Sequence, residues 1–194
     1  MPLQIKDIDK VDIKGNNLYF VDANVWIYML QAAQFSKFEK PYHEKYSDFL
    51  EKIIAYQSKP NPPKIVVNML LIAEMLNAYM RQVAMPEYFR KLGEEPKTKN
   101  FKKDYRNTND CQRRLETLID DFRSYEDYVV FMNLTTDIPN FLDNYTQNLS
   151  CDVNDYYFYI WAKDNKIAIV TDDVDYVFDD ILIITANKKL IEKA

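Results

Sequence analysis

Tyr19-Phe20-Val21-Asp22-Ala23-Asn24-Val25-Trp26-Ile27-Tyr28 joins a short apolar run to a carboxylate that stands two residues before an asparagine. Leu18 to Val21 reads as a buried strand, and Val25 to Ala33 as a helix with Trp26, Met29 and Leu30 on one face. An acid between them sits at the carboxyl end of the strand, where open parallel sheets place their ligand crevice. The same order of strand, turn and helix recurs outward. Pro41 opens a helix that carries Tyr42, Tyr46, Phe49, Leu50, Ile53 and Ile54 as far as Ser58, and Pro60-Asn61-Pro62-Pro63 closes it.

Lys64 to Val67 reads as a second strand, followed by a helix from Met69 to Ala84 with Met69, Ile72, Ala73, Leu76, Met80 and Val83 as its apolar stripe. Further helices are expected over Asn109 to Tyr125, Ile138 to Gln147 and Asp152 to Asn165, and further strands over Tyr128 to Leu134, Ile167 to Val170 and Ile181 to Ile184. Strands alternating with helices through short turns indicate an α/β fold with a mainly parallel sheet of about five strands. The chain reads as one domain over residues 1–194, with a polar stretch at 1–16 that reads as a small strand or an arm and a basic, weakly periodic insertion at 85–107.

At 194 residues and 47% hydrophobic content the chain can bury one substantial core. No segment approaches the roughly 18 unbroken apolar residues of a membrane span, and no basic-then-apolar leader opens the sequence, so a soluble, cytoplasmic protein is expected. Cys111 and Cys151 are far apart and His43 is the single histidine, which argues against zinc and reads both cysteines as packed residues. His43, in an amphipathic helix, is expected at the surface.

The net charge of -5 is uneven. From Arg81 to Arg114 ten basic residues face five acidic ones, so that segment is +5 and the remainder -10. Such a split suits either a cationic surface beside an acidic pocket or a solvated lysine-rich loop.

The acids admit plain explanations. Asp22 can cap the helix that follows, and Asp152 with Asp155 matches an acidic capping box. Glu74 is harder to explain so, because it stands mid-helix among Leu70, Leu71 and Ala78, where an unpartnered carboxylate costs several kcal/mol. Asp172, Asp173 and Asp175 crowd into Thr171-Asp172-Asp173-Val174-Asp175-Tyr176, as an Asp-rich turn or as like charges that call for a cation. A divalent ion with oxygen ligands explains several of these acids together, and Asn24 and Thr171 add neutral oxygens beside them.

Strand-Asp22-x-Asn24, Glu74 within Ala73-Glu74-Met75-Leu76-Asn77, the Asp152-x-x-Asp155 helix start with Ala162 seven residues on, and Val170-Thr171-x-Asp173-x-x-Tyr176 resemble the ordered motifs of PIN-domain ribonucleases. The resemblance covers nearly the whole chain. It implies a PIN-like three-layer α/β/α fold in which Asp22, Glu74, Asp155 and Asp173 hold Mg2+ or Mn2+, with Asn24 and Thr171 in support. Asp152, Asp172 and Asp175 are left to substitute or assist. The implied activity is endoribonucleolytic hydrolysis by metal-activated water, and the implied partners are single-stranded or structured RNA, an antitoxin protein and a second copy in a homodimer.

Lys99, Lys102, Lys103 and Arg106 of the insertion are the expected RNA contacts, with Phe101 and Tyr105 either stacking on bases or anchoring the loop. Two other readings stand beside this one. Asp22-x-Asn24 resembles the start of a haloacid-dehalogenase-type phosphatase, but that family has a second aspartate where Asn24 stands. The other reading is a catalytically weak PIN-like module that binds RNA or docks a protein.

Overall fold

The computed structural model of the chain describes residues 4–31, 42–133, 137–146 and 151–193. Its strands are β1 (Gln4–Asp7), β2 (Leu18–Val21), β3 (Lys64–Val67), β4 (Val129–Phe131), β5 (Ala168–Val170) and β6 (Leu182–Thr185). They form one six-stranded sheet in the order β1-β6-β5-β2-β3-β4, and every neighbouring pair is parallel. The helices are α1 (Ala23–Gln31), α2 (Glu44–Ala55), α3 (Met69–Ala78), α4 (Met85–Lys91), α5 (Asn109–Arg123), α6 (Ile138–Tyr145), α7 (Val153–Asn165) and α8 (Lys188–Ile191). The element ends expected at Ala33, Pro41, Leu134 and Gln147 lie outside the described residues.

The sheet has one strand more than the roughly five expected from strand-and-helix alternation. The additional strand is β1, in the polar arm, paired with β6 through Ile5 and Ile183. As an edge strand it alternates exposed and buried residues, so it lacks the continuous apolar run by which the inner strands are read.

The chain divides into two compact units, one of Met1–Asn68 with Tyr128–Ala194 and the other of Met69–Asp127. The sheet belongs to the first. Tyr19, Phe20 and Val21 of β2 are all buried there, and successive side chains of a strand point to opposite faces. Phe20 meets Phe158 and Trp161 of α7, with ring centroids 4.7 and 5.6 Å away, while Tyr19 meets Phe49 of α2 edge-on at 5.4 Å. Helices therefore flank both faces of the sheet, and β2 must be apolar on both.

Gly15 serves the entry to β2. A Cβ on it would lie 2.6 Å from the Asn61 carbonyl oxygen, the same oxygen that accepts the Asn16 N–H at 2.8 Å. This close approach sets the start of β2 beside β3.

In the second unit, α3 passes through a π-helical turn, Tyr79–Ala84, into α4. The buried side of α3 holds Leu71 and Met75, whereas Met69 is 63% exposed and Ala73 is also exposed, so the expected stripe is rotated within α3, while its Met80 and Val83 are buried in the turn that follows. The helix is apolar on nearly every side, and periodicity alone does not choose among its stripes. Arg114 of α5 pairs with Asp110 one turn earlier, at 2.9 Å, and reaches Glu87 of α4 at 3.0 Å. Tyr105 is fully buried against Tyr88, Phe89 and Phe101, and its hydroxyl donates to Asp110 at 2.9 Å. It therefore anchors residues 85–107, which fold as α4 and two short helical turns, Pro96–Thr98 and Phe101–Tyr105.

Cys111 and Cys151 are buried thiols. Among the described residues no helix is long and apolar enough to cross a membrane.

Candidate active site

Register brings the first residues of the site together. Val21 pairs with Val170, so Asp22 and Thr171, the next residue of each strand, are neighbours at the carboxyl ends of β2 and β5. The Asp22 N–H donates to the Val170 carbonyl at 2.9 Å, and the Thr171 N–H to that of Ile184 at 3.1 Å. From β2 the chain proceeds to β3 and β4 on one side, while β5, β6 and β1 lie on the other. The pair β2–β5 is thus the point at which strand order reverses, where doubly wound sheets open a crevice.

Both residues are buried, Thr171 completely. The Thr171 hydroxyl donates to Asp22 Oδ2 at 2.9 Å and accepts the Asp173 N–H at 3.0 Å, so one side chain fixes the position of two acidic residues. Asp22 Oδ1 accepts the Ala23 N–H at 2.7 Å, and its carbonyl accepts the Trp26 N–H at 3.0 Å. Asp22 therefore occupies the cap position of α1 by its backbone. Its carboxylate accepts the first helical N–H, whereas a capping side chain typically satisfies the second or third.

The other acids separate by role. Asp152 is exposed and caps α7, its Oδ1 accepting the N–H groups of Asn154 and Asp155 at 2.9 and 3.0 Å. Asp155, one turn into that helix, is half-buried. Its burial, with the nearby carboxylates of Asp22, Asp152 and Asp173, pushes its carboxyl up to about 7, against a hydrogen bond from the Tyr176 hydroxyl that pulls it down. Asp173 is half-buried, and its Oδ1 accepts the N–H of the exposed Asp175 at 2.9 Å.

Asp172 differs from both. It is buried, and the hydroxyls of Tyr46, Tyr28 and Tyr42 approach its carboxylate at 3.1, 3.4 and 3.4 Å. Asn187 donates to its carbonyl at 2.7 Å. Tyr46, fully buried, accepts the Ala186 N–H and lies within reach of Thr171 O and Thr185 Oγ1, which ties this cluster to the ends of β5 and β6.

His43 corrects its expected place at the surface. Helix α2 begins at Glu44, so His43 precedes it and is buried, its ring stacked on Tyr28 at 3.7 Å and 13°. The aromatic cluster of Tyr28, Tyr42 and Tyr46 also escaped the sequence reading, which counted Tyr42 and Tyr46 only as apolar positions of a helix. A cleft of about 510 Å³ opens beside this cluster, lined among others by Asn24, Asp173, Asn187 and Lys189.

Glu74 lies half-buried on α3, in the second unit. The basic residues of that unit are partly committed to their own fold. Lys99 pairs with Glu94 and lies over the Phe89 ring, and Arg81 lies over Phe101. Lys102, Lys103 and Arg106 are exposed. Among the described residues no three His, Cys, Asp or Glu side chains are drawn together tightly enough to ligate one ion as they stand.

The sequence pattern of the PIN domain matches residues 19–181. The chain belongs to the PIN-domain family. PIN domains are generally nucleases that use divalent metals. The matched span runs through both units and includes Asp22, Glu74, Asp155 and Asp173. Among solved structures, this PIN-domain chain is similar to one from VapBC2 of Rickettsia felis, crystallised bound to a DNA fragment from their promoter. The similarity has a TM-score of 0.50 at 12% identity, covering 87% of this chain and 98% of that one, and it is a likeness of fold. Comparison with curated proteins finds no match.

Proposed function

We propose that this PIN domain, residues 1–194 with the basic segment 85–107 as its insertion, is a Mg2+- or Mn2+-dependent endoribonuclease. The observation that carries the reading is the Thr171 hydroxyl, which joins Asp22 to Asp173 at the strand-order reversal. The donor set fits a hard dication in kind, since all its groups are carboxylate oxygens and Asp155 is crowded by Asp22 and Asp173. Asp22, Asp155 and Asp173 would hold the ion, with Glu74 as the fourth acid of the motif set. When bound, it supplies Lewis-acid stabilisation of the phosphate and activation of water.

The chain's own groups position that chemistry. Thr171 holds the Asp22 carboxylate in one orientation, and Asn24 lines the same cleft as Asp173. Asp172 is set apart by its tyrosines, and Asp152 by its cap. The exposed Lys102, Lys103 and Arg106 contact the RNA backbone, while Lys99 acts chiefly within the fold. The likeness to VapBC2 supports an antitoxin protein as partner, and the family resemblance implies a homodimer as the assembled form.

The test is cleavage of a panel of single-stranded and structured RNAs with Mg2+ or Mn2+, by the wild type, Asp22→Asn and Glu74→Gln. Cleavage by the wild type and its loss in both variants, with folding intact by circular dichroism, is expected. Equal cleavage by all three would place the activity elsewhere. In parallel, Mn2+ is expected to raise the melting temperature of the wild type but not of Asp22→Asn; a metal-independent melt without cleavage would assign the chain to a binding module.

A further inference from the structure

The cleft of about 510 Å³ beside the acidic residues is lined by Asn24, Tyr28, Tyr42, Asp172, Asp173 and Lys189 among others, and its size is that of a small-ligand site. Three features give it a chemical character. It is continuous with the acidic site, because Asn24 lies one turn before Tyr28 on α1 and Asp173 adjoins Asp172. Its wall is aromatic and braced: Tyr28 and Tyr42 both aim their hydroxyls at Asp172 Oδ2, at 3.4 Å each, and His43 stacks on Tyr28 while meeting Tyr42 edge-on at 5.3 Å. Its rim carries Lys189, an exposed cation.

Flat rings held rigidly beside a cation and a hydrolytic site match one kind of ligand, a nucleotide of a single strand. Its base stacks on an aromatic face and its phosphate meets the ammonium. We propose that this cleft is the subsite for a nucleotide adjoining the scissile phosphate, with Tyr42 as its stacking platform, Lys189 as its phosphate contact and Asp172 as the positioning residue that orients both phenols. This rests on the ribonuclease reading above and adds where the substrate's base is held. Asp172 thereby gains a use that metal binding does not offer it. Its carboxylate, in the wall of the cleft and shared among phenols, orients the rings.

The test uses the full chain and two fluorescent pentanucleotides, oligo(A) RNA and its abasic counterpart, with binding read by anisotropy in Ca2+ and cleavage read separately in Mn2+. The wild type is expected to prefer oligo(A), and Tyr42→Ala to lose about 5- to 150-fold in affinity and erase that preference. Tyr42→Phe, which keeps the ring, is expected to retain the preference, and in cleavage Tyr42→Ala raises KM with kcat unchanged. Asp172→Asn is expected to fall between wild type and Tyr42→Ala.

Equal binding of the two pentamers by the wild type, or wild-type affinity in Tyr42→Ala, overturns the subsite while persistent cleavage leaves the ribonuclease reading standing. Base-dependent binding that Tyr42→Ala abolishes, in a protein that cleaves nothing, keeps the subsite and removes the nuclease. Should Tyr42→Ala fail to fold, Lys189→Gln decides: weaker binding with a shallower salt dependence supports the subsite, and unchanged binding at all salt concentrations overturns it.

Discussion

The two units of this chain treat their inward-facing carboxylates in opposite ways. In the second unit, Glu87 and Asp110 share the guanidinium of Arg114, whose side chain is only 8% exposed. In the first, Asp155 stands near Asp22, Asp152 and Asp173, and the sum of burial and repulsion holds its carboxyl up at about 7. A carboxylate that serves the fold comes with its cation on the same chain, because a lone buried charge is costly. A buried carboxyl with other carboxylates nearby is held in a state that an external dication relieves. The contrast separates scaffold from site without reference to any relative.

Removing the internal cation should give the largest effect. Arg114→Met takes the guanidinium from the largely buried Glu87 and leaves Asp110 with only the exposed Arg113 and the Tyr105 hydroxyl, and a loss of about 3–5 kcal/mol is expected in the second unit. Hydrogen exchange over residues 69–127 reads this directly, and unchanged protection there would break the contrast. Next, Thr171→Val removes the hydroxyl that orients Asp22 and receives the Asp173 N–H. About 10- to 100-fold weaker Mn2+ binding is expected, by analogy with groups that orient metal ligands, and calorimetric titration measures it.

A smaller effect concerns pH. The Asp155 carboxyl titrates near 7 in the folded chain, against about 3.9 when unfolded. A raised carboxyl costs no stability below the unfolded value, costs progressively more as pH rises from about 4 to 7, and costs most above that. The metal-free melting temperature is therefore expected to fall across this window, and Asp155→Asn to flatten the fall. Parallel profiles for the two proteins would show that Asp155 does not carry this cost. Smallest is Asp152→Ala, which deletes the cap of α7 and is expected to cost about 1 kcal/mol in urea unfolding.

Much of the sheet was readable from the residues. Lys64 to Val67 is a strand to the residue, and β2, β5 and β6 lie within a residue or so of their expected bounds, because strands buried on both faces must be continuous apolar runs. β1 was legible only as an open choice between a small strand and an arm, since an edge strand buries only alternate residues. The buried side of α3 was misread because a helix apolar nearly all round offers several stripes. In the site, the cap role of Asp152 is legible in the sequence, because a capping box is a local feature. The tyrosines around Asp172 were not, because Tyr28 and Tyr42 stand 144 and 130 residues from it.

The sequence by itself determined the parallel α/β class and the acids at the strand ends, because hydrophobic runs and turns act over a few residues and leave their pattern in the chain. Only the tertiary structure decided how the crowded acids differ. Pairing Val21 with Val170 sets Asp22 beside Thr171, and the same strand ends turn Asp172 toward its tyrosines and Asp173 toward Thr171. Adjacent aspartates are chemically identical in a sequence. They become different when packing gives one a shell of phenols and leaves the next half-open beside other acids.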